Sequence, residues 1–248
     1  MICINRLEDI PTQLEASVHI WCLPHQQPVT AGLLQTLDHH EQVRHQRFLF
    51  ADDRDRYALS HALKRHCLSH YAAVAPAAWR FREGPHGKPS IAWAQPLHFN
   101  LSHTVGMTLC AVSHTELGVD VETTALARPI DGLATRFFAP SEAADVLQQP
   151  ASARIQRFFA YWTLKEAYMK GVGDGLSLGL DTFTFQLNQP GEVIQLHLAD
   201  HHPHPAAAWQ FDRAQIGPHH PAALAVRRGA GQADLPVMWY LLEELPAH

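Results

Sequence analysis

No stretch of the sequence approaches 18 consecutive apolar residues, so none is built to cross a bilayer as a helix. Cysteine is scarce: Cys3, Cys22, Cys67 and Cys110 lie far apart and include no CxxC pair. They read as free, mostly buried thiols in a reducing compartment. Positive charge is not in excess either. The formal net charge of −5 provides no global basic field to attract nucleic acid or a membrane surface. Residues Met1 to Asp9 lack the basic-then-apolar build of a signal peptide. These absences make a cytoplasmic protein, with neither nucleic acid nor membrane as partner, the expectation.

What is present fits a folded chain. With 46% apolar and 17% charged residues, disorder is excluded. A length of 248 residues allows one large domain or two of about 100–150 residues. The 19 histidines make part of the net charge depend on pH near neutrality.

Leu59, Ala62, Leu63, Cys67 and Tyr71 recur at helical spacing, predicting a helix over about 52–71, with Asp52 or Asp53 as its cap. A Pro/Gly-rich loop from Glu83 to Pro89 follows, then three short strand-like segments near 97–102, 107–112 and 117–122. The pattern breaks over 123–131. Beyond it, Pro140 opens a second helix and a third runs over about 151–171, stopped by a glycine. Further strands are expected at 182–187, 193–198, 209–212 and 222–226, and one more apolar run lies at 237–242. The fold class is therefore α+β, in two halves of similar build, 1–117 and 118–248, each a long helix with a small antiparallel sheet. His201, His202 and His204, and the pair His219 and His220, lie in Pro-rich loops without fixed ligand spacing, so they read as solvated loop residues.

Three groups of residues carry chemistry. In the Val119-Asp-Val-Glu122 segment, alternation puts Asp120 and Glu122 on one strand face, where two carboxylates repel unless a cation sits between them. Such oxygen ligands suit Mg²⁺, which also takes phosphate oxygens; an ordinary half-buried strand is the plainer alternative. On the third helix, Lys165, Glu166 and Lys170 fall on the side of Phe158, Trp162 and Met169, while Gln156, Ala160, Thr163 and Ala167 leave the opposite side uncharged. Charges on a packed side need partners. Glu166 and Lys170 are an i, i+4 pair, but that leaves Lys165 unexplained. A phosphate–metal site would satisfy all three, with Glu166 on the metal and both lysines on phosphate. The third group, Lys88, Ser102 and His103, consists of phosphate-donor types. Ser102 and His103 are adjacent on a strand and point to opposite faces, which argues against a hydrolase pair.

Taken together, Gly87-Lys-Pro89, Phe99-Asn-Leu-Ser-His103, Gly118-Val-Asp-Val-Glu122, Arg136-Phe-Phe138 and Trp162-Thr-Leu-Lys-Glu-Ala-Tyr-Met-Lys170 resemble the long, Sfp-type phosphopantetheinyl transferases. The resemblance spans about 44–185, continuing into Gly175-Leu-Ser-Leu178 and Leu180-Asp181. It implies two similar halves related by a pseudo-twofold axis, a cleft between them holding coenzyme A, and a monomer. It further implies Asp120, Glu122 and Glu166 on Mg²⁺ and Lys170 on the pyrophosphate. Arg56, Lys88 and His103 are implied on the adenosine 3′-phosphate, with Ser102 nearby and Arg44 at a position where relatives carry a basic residue. Glu41 stands where some relatives carry a lysine, which bears on the grip on that phosphate.

The implied reaction is transfer of 4′-phosphopantetheine from coenzyme A to a serine of an apo carrier protein (acyl, peptidyl or aryl, as in fatty acid, polyketide and nonribosomal peptide biosynthesis), releasing 3′,5′-ADP. Lys170 assists, and Glu166, or a metal-bound water it contacts, is the candidate base. A metal-dependent phosphohydrolase acting on coenzyme A or a related pyrophosphate is the alternative. A non-catalytic coenzyme A binder has no need of three carboxylates. Carrier docking is expected on Arg128, Arg136, Phe137, Phe138, Arg154 and Arg157.

Overall fold

The spacing of Leu59, Leu63 and Cys67 is realised as the central helix of a first unit, residues 1–116 with 235–248, and a second unit comprises residues 117–234. The computed structural model describes residues 2–3, 7–173, 179–187, 194–198, 205–229 and 231–246. In chain order the first unit contains β1 (Ile2–Cys3), β2 (Val18–Pro24), α1 (Ala31–Thr36), α2 (His39–Gln46) and α3 (Ala51–Tyr71). The short hairpin of β3 (Phe81–Glu83) and β4 (Pro89–Ile91) comes next, then β5 (His98–Thr104) and β6 (Met107–Ser113). The second unit contains β7 (Leu117–Val121), α4 (Ile130–Phe137), α5 (Pro140–Gln148), α6 (Ala151–Val172), β8 (Phe183–Gln186), β9 (Gln195–Leu198), β10 (Trp209–Ile216) and β11 (His220–Arg227). The last strand, β12 (Val237–Leu241), returns to the first unit.

The first unit's sheet has the order β1-β12-β2-β6-β5. β5, β6 and β2 run antiparallel, but β12 pairs parallel with both β2 and β1. The sheet is thus mixed, where the sequence reading expects antiparallel pairing. A strand arriving from far along the chain is not tied to its neighbour by a hairpin, so either direction is open to it. The same strand assigns the tail to the first unit's sheet, whereas the sequence reading runs the second half to 248. Trp21, Leu59, Leu63, Cys67, Trp79 and Tyr240 share one core, in which the free thiols of Cys67 and Cys110 are fully buried. α3 starts at Phe50 without a side-chain cap; Asp52 and Asp53 sit in its first turn instead, where their charge complements the helix dipole.

In the second unit β10, β11 and β7 form a three-stranded antiparallel sheet and β8 pairs with β9. α6 is buried along both sides, with Phe158, Phe159, Leu164 and Tyr168 in the core. The uncharged side of small residues is therefore not a solvent face: Thr163 and Ala167 are buried too, and Ala167 belongs to the same core. α6 ends one turn-residue later than the first glycine, at Gly173, which takes the left-handed conformation (φ 88°) that glycine adopts without strain. No helix of the described residues is long and apolar enough to cross a membrane.

Candidate active site

The site in the second unit starts from one missing side chain. A Cβ on Gly118 would lie 2.1 Å from the Ala167 carbonyl oxygen and 2.3 Å from the Gly171 nitrogen, so only glycine lets the α6 backbone rest on β7. Strand alternation puts Asp120 on the same face as Gly118, and Glu122 follows one step further along. The close approach brings Lys170 to Asp120, with Nζ donating to Oδ1 at 2.6 Å. Glu166 lies one helical turn before Lys170. Arg128, from the segment after β7, donates to Glu122 at 3.2 Å.

Asp120 is buried, while Glu122 and Glu166 are half-buried. Burial raises the Glu122 carboxyl above its ordinary range, and the charge of Asp120 adds to the rise against Arg128 and Lys170. Burial likewise raises Glu166, with Asp120 and Glu122 adding and Lys170 opposing. The three carboxylates thus share one electrostatic environment that favours a cation. Among the described residues, no three Asp, Glu, His or Cys side chains are drawn closely enough to form a ready metal cluster. The donor set, three carboxylates of which Asp120 raises the other two, with no sulfur or imidazole, is of the kind that suits a hard cation.

Lys165 has a different place from the one expected of it. Its side chain is fully buried, and Nζ pairs with Glu142 Oε2 at 2.8 Å while donating to the carbonyls of Leu180 and Phe183, both at 2.7 Å. An ammonium has three donors, and all three are committed within the protein, which runs against the phosphate role expected of Lys165. Glu142 in turn accepts from the Phe185 and Ala139 backbone N–H groups, so the pair ties α5, α6 and β8 together. Burial raises Glu142 and lowers Lys165, and each opposes the other's shift.

The remaining sequence candidates belong to the first unit and are spread over four elements. Arg44 is on α2, its guanidinium 5.7 Å from the centre of the Tyr57 ring. Arg56, on α3, pairs with Asp53 one turn away. Lys88 sits in the turn before β4, its ammonium pushed down to about 8 by burial, with Glu116 opposing. On β5, Ser102 is buried and His103 exposed, as opposite faces of a strand require.

Within the expected docking set, Arg128 is tied to Glu122, Arg154 to Asp131 at 2.9 Å and Arg157 to Asp145 at 2.6 Å. Phe138 is core. Arg136 is exposed, lies over the Phe137 ring and has no carboxylate partner among the described residues. His201, His202 and His204 lie outside the described residues, as do Gly175 to Leu178 of the resembling motif.

Comparison with known proteins places this arrangement. The family model described as 4′-phosphopantetheinyl transferase superfamily matches residues 116–226, and a second, described as 4′-phosphopantetheinyl transferase, N-terminal, matches residues 23–115. The 4′-phosphopantetheinyl transferase HetI of Nostoc sp. is 37% identical over 172 residues, 67% of this chain and 73% of that protein. The 4′-phosphopantetheinyl transferase Sfp of Bacillus subtilis is 34% identical over 157 residues, 63% of this chain and 68% of its own. A third relative, the 4′-phosphopantetheinyl transferase ffp of Bacillus subtilis, is 32% identical over 180 residues, covering 72% of this chain and 79% of that one. The chain belongs to the 4′-phosphopantetheinyl transferase superfamily. Within it the chain is an enzyme of the Sfp type, and none of these relatives is named a phosphohydrolase.

Proposed function

We propose that the enzyme moves the 4′-phosphopantetheine group of coenzyme A onto a serine of an apo carrier protein, releasing 3′,5′-ADP, and that it works as a monomer in the cytoplasm. The observation that carries this reading is the seating of α6 on Gly118, which gathers Asp120, Glu122, Glu166 and Lys170. Asp120, Glu122 and Glu166 are the residues that would hold Mg²⁺, which when bound neutralises charge building on the pyrophosphate. Lys170, 30% exposed, would turn from Asp120 to the pyrophosphate oxygens. Glu166, half-buried and raised above the usual carboxylate range by burial, is the candidate to take the serine proton. Arg44, Arg56, Lys88, Ser102 and His103 would hold the adenosine 3′-phosphate, whose charge would restore the Lys88 ammonium depressed by burial.

Incubation with coenzyme A, Mg²⁺ and a panel of apo carrier proteins tests the reaction. The expected product is a carrier heavier by one phosphopantetheine; coenzyme A breakdown without a modified carrier would overturn the reading. Dephospho-coenzyme A, which lacks the 3′-phosphate, is expected to bind at least about a hundredfold more weakly to the wild type, the effect of losing several charge-assisted contacts at once. That penalty is expected to shrink in Lys88→Ala, and equal binding of both nucleotides by the wild type would remove the phosphate assignment.

Arg136 narrows the docking expectation, because its neighbouring arginines are committed to internal carboxylates. Arg136→Glu is expected to raise KM for the carrier severalfold at low salt and less at high salt, with KM for coenzyme A unchanged. A flat carrier KM across ionic strength would place docking elsewhere.

A further inference from the structure

Glu41 looks out of place on a helix that supplies a phosphate-binding arginine, since a carboxylate repels phosphate. Its surroundings in the first unit give it another task. Only 5% exposed, it forms the N3 half of a reciprocal capping box: its backbone donates to Asp38 Oδ1 at 2.9 Å and its Oε2 accepts from the Asp38 N–H at 3.2 Å. An exposed box would need no more. Here Oε1 also accepts from Lys64 Nζ at 2.8 Å and from His61 Nδ1 at 2.7 Å, and Oε2 from Arg65 Nε at 2.7 Å. Arg65 reaches Asp38 as well, at 2.6 Å, so both members of the box are fastened to α3. Burial pushes the Glu41 carboxyl up, but the His61 hydrogen bond and the Lys64 charge outweigh it and hold the group well below the usual range.

From His61 the contacts lead back to α2. Burial lowers His61 to about 4, so at neutral pH its ring is uncharged, and Nδ1–H is the donor to Glu41. That ring stacks on Tyr57 with centroids 4.0 Å apart. Tyr57 in turn lies beneath the Arg44 guanidinium. Arg44 is three residues after Glu41, so the path Glu41–His61–Tyr57–Arg44 leaves α2, crosses α3 and returns to α2. Arg44 and Arg47 line an open cavity of about 500 Å³ with His40, Val43 and Phe48. Among the described residues neither arginine has a carboxylate partner.

We propose that Glu41 is a positioning residue for Arg44: it clamps α2 to α3 and, through the His61 and Tyr57 rings, fixes the guanidinium toward the anion that Arg44 binds. The inference rests on the reading of Arg44 as a ligand of the adenosine 3′-phosphate. On this account Glu41 strengthens the grip on that phosphate instead of weakening it.

The test compares KM for coenzyme A with KM for dephospho-coenzyme A, at saturating apo carrier, in the wild type, Arg44→Ala, Glu41→Gln and the double variant. Arg44→Ala is expected to reduce the preference for coenzyme A about tenfold. Glu41→Gln is expected to lose a comparable share of that preference, through KM for coenzyme A alone, and to add nothing in the Arg44→Ala background. A general loss of stability would raise neither KM selectively. If Arg44→Ala keeps the preference, the phosphate reading fails and the inference falls with it. If Arg44→Ala loses the preference while folded Glu41→Gln keeps it, only the positioning role is overturned. Should Glu41→Gln not fold, Tyr57→Leu and Tyr57→Phe decide: the first is expected to lose the preference and the second, which retains the ring, to keep it. Equal preference in both would overturn the proposal.

Discussion

Asp120→Asn is expected to slow phosphopantetheine transfer by roughly a hundred- to a thousandfold, the usual effect of removing one preorganised charge from a transition-state site. The fold is expected to survive. Asn keeps an oxygen for Lys170, which now donates to Asp120 Oδ1, and it removes the charge that raises both Glu122 and Glu166. An acid raised in the folded state keeps its proton longer there than in the unfolded chain. Stability of the metal-free protein therefore falls as pH rises through the ordinary carboxylate range into the raised one. Asn at 120 narrows that window. Thermal melts in chelator should accordingly show a wild type that weakens over this pH interval and a variant that weakens less. Mg²⁺ should raise the wild-type Tm and flatten its pH dependence, with a smaller effect on Asp120→Asn. Near-normal single-turnover rates for the variant at limiting Mg²⁺ would remove Asp120 from the metal site. So would identical Mg²⁺ stabilisation of the two proteins.

Much of this site was legible because its geometry is local. Strand alternation alone placed Asp120 and Glu122 on one face, and β7 ends within a residue of its expected limit because Val119 and Val121 mark it. Glu166 and Lys170 were found by helical arithmetic on α6. The function of Gly118 was not legible: its requirement comes from the Ala167 and Gly171 backbone, fifty residues away, and glycine in a strand has many causes. Two differences between sequence pattern and structure concern α6. Wheel arithmetic separates one buried face from the rest, whereas this helix is buried along both sides, Thr163 and Ala167 included. The sequence assigns Lys165 to phosphate because its partner Glu142, on α5, reads there as an ordinary first-turn acid. α2 has a mean composition too polar for a periodic signal; its capping box, Asp38 with Glu41, was there to be read. β12 reads in the sequence only as an apolar run; its place as a strand between β1 and β2 comes from pairing with distant parts of the chain, which periodicity does not report.

Lys165→Met separates a phosphate role from a structural one. As a phosphate ligand, Lys165 would be dispensable for folding, and its loss would raise KM for coenzyme A. As the buried partner of Glu142 it has the opposite profile. Removing the ammonium leaves a fully buried carboxylate without its counter-charge and the Leu180 and Phe183 carbonyls without their donor. Breaking a buried pair from one side typically costs about 3–5 kcal/mol, a large share of the roughly 5–15 kcal/mol that holds a domain folded. Lys165→Met is therefore expected to shift the urea midpoint sharply downward with little change in m. Whatever fraction remains folded should show wild-type KM for coenzyme A. Glu142→Gln added to Lys165→Met is expected to recover part of the loss. It removes the stranded charge but keeps an acceptor for the Phe185 and Ala139 N–H groups. A stable Lys165→Met protein with a raised KM for coenzyme A would return Lys165 to the phosphate site and make the Glu142 pair incidental.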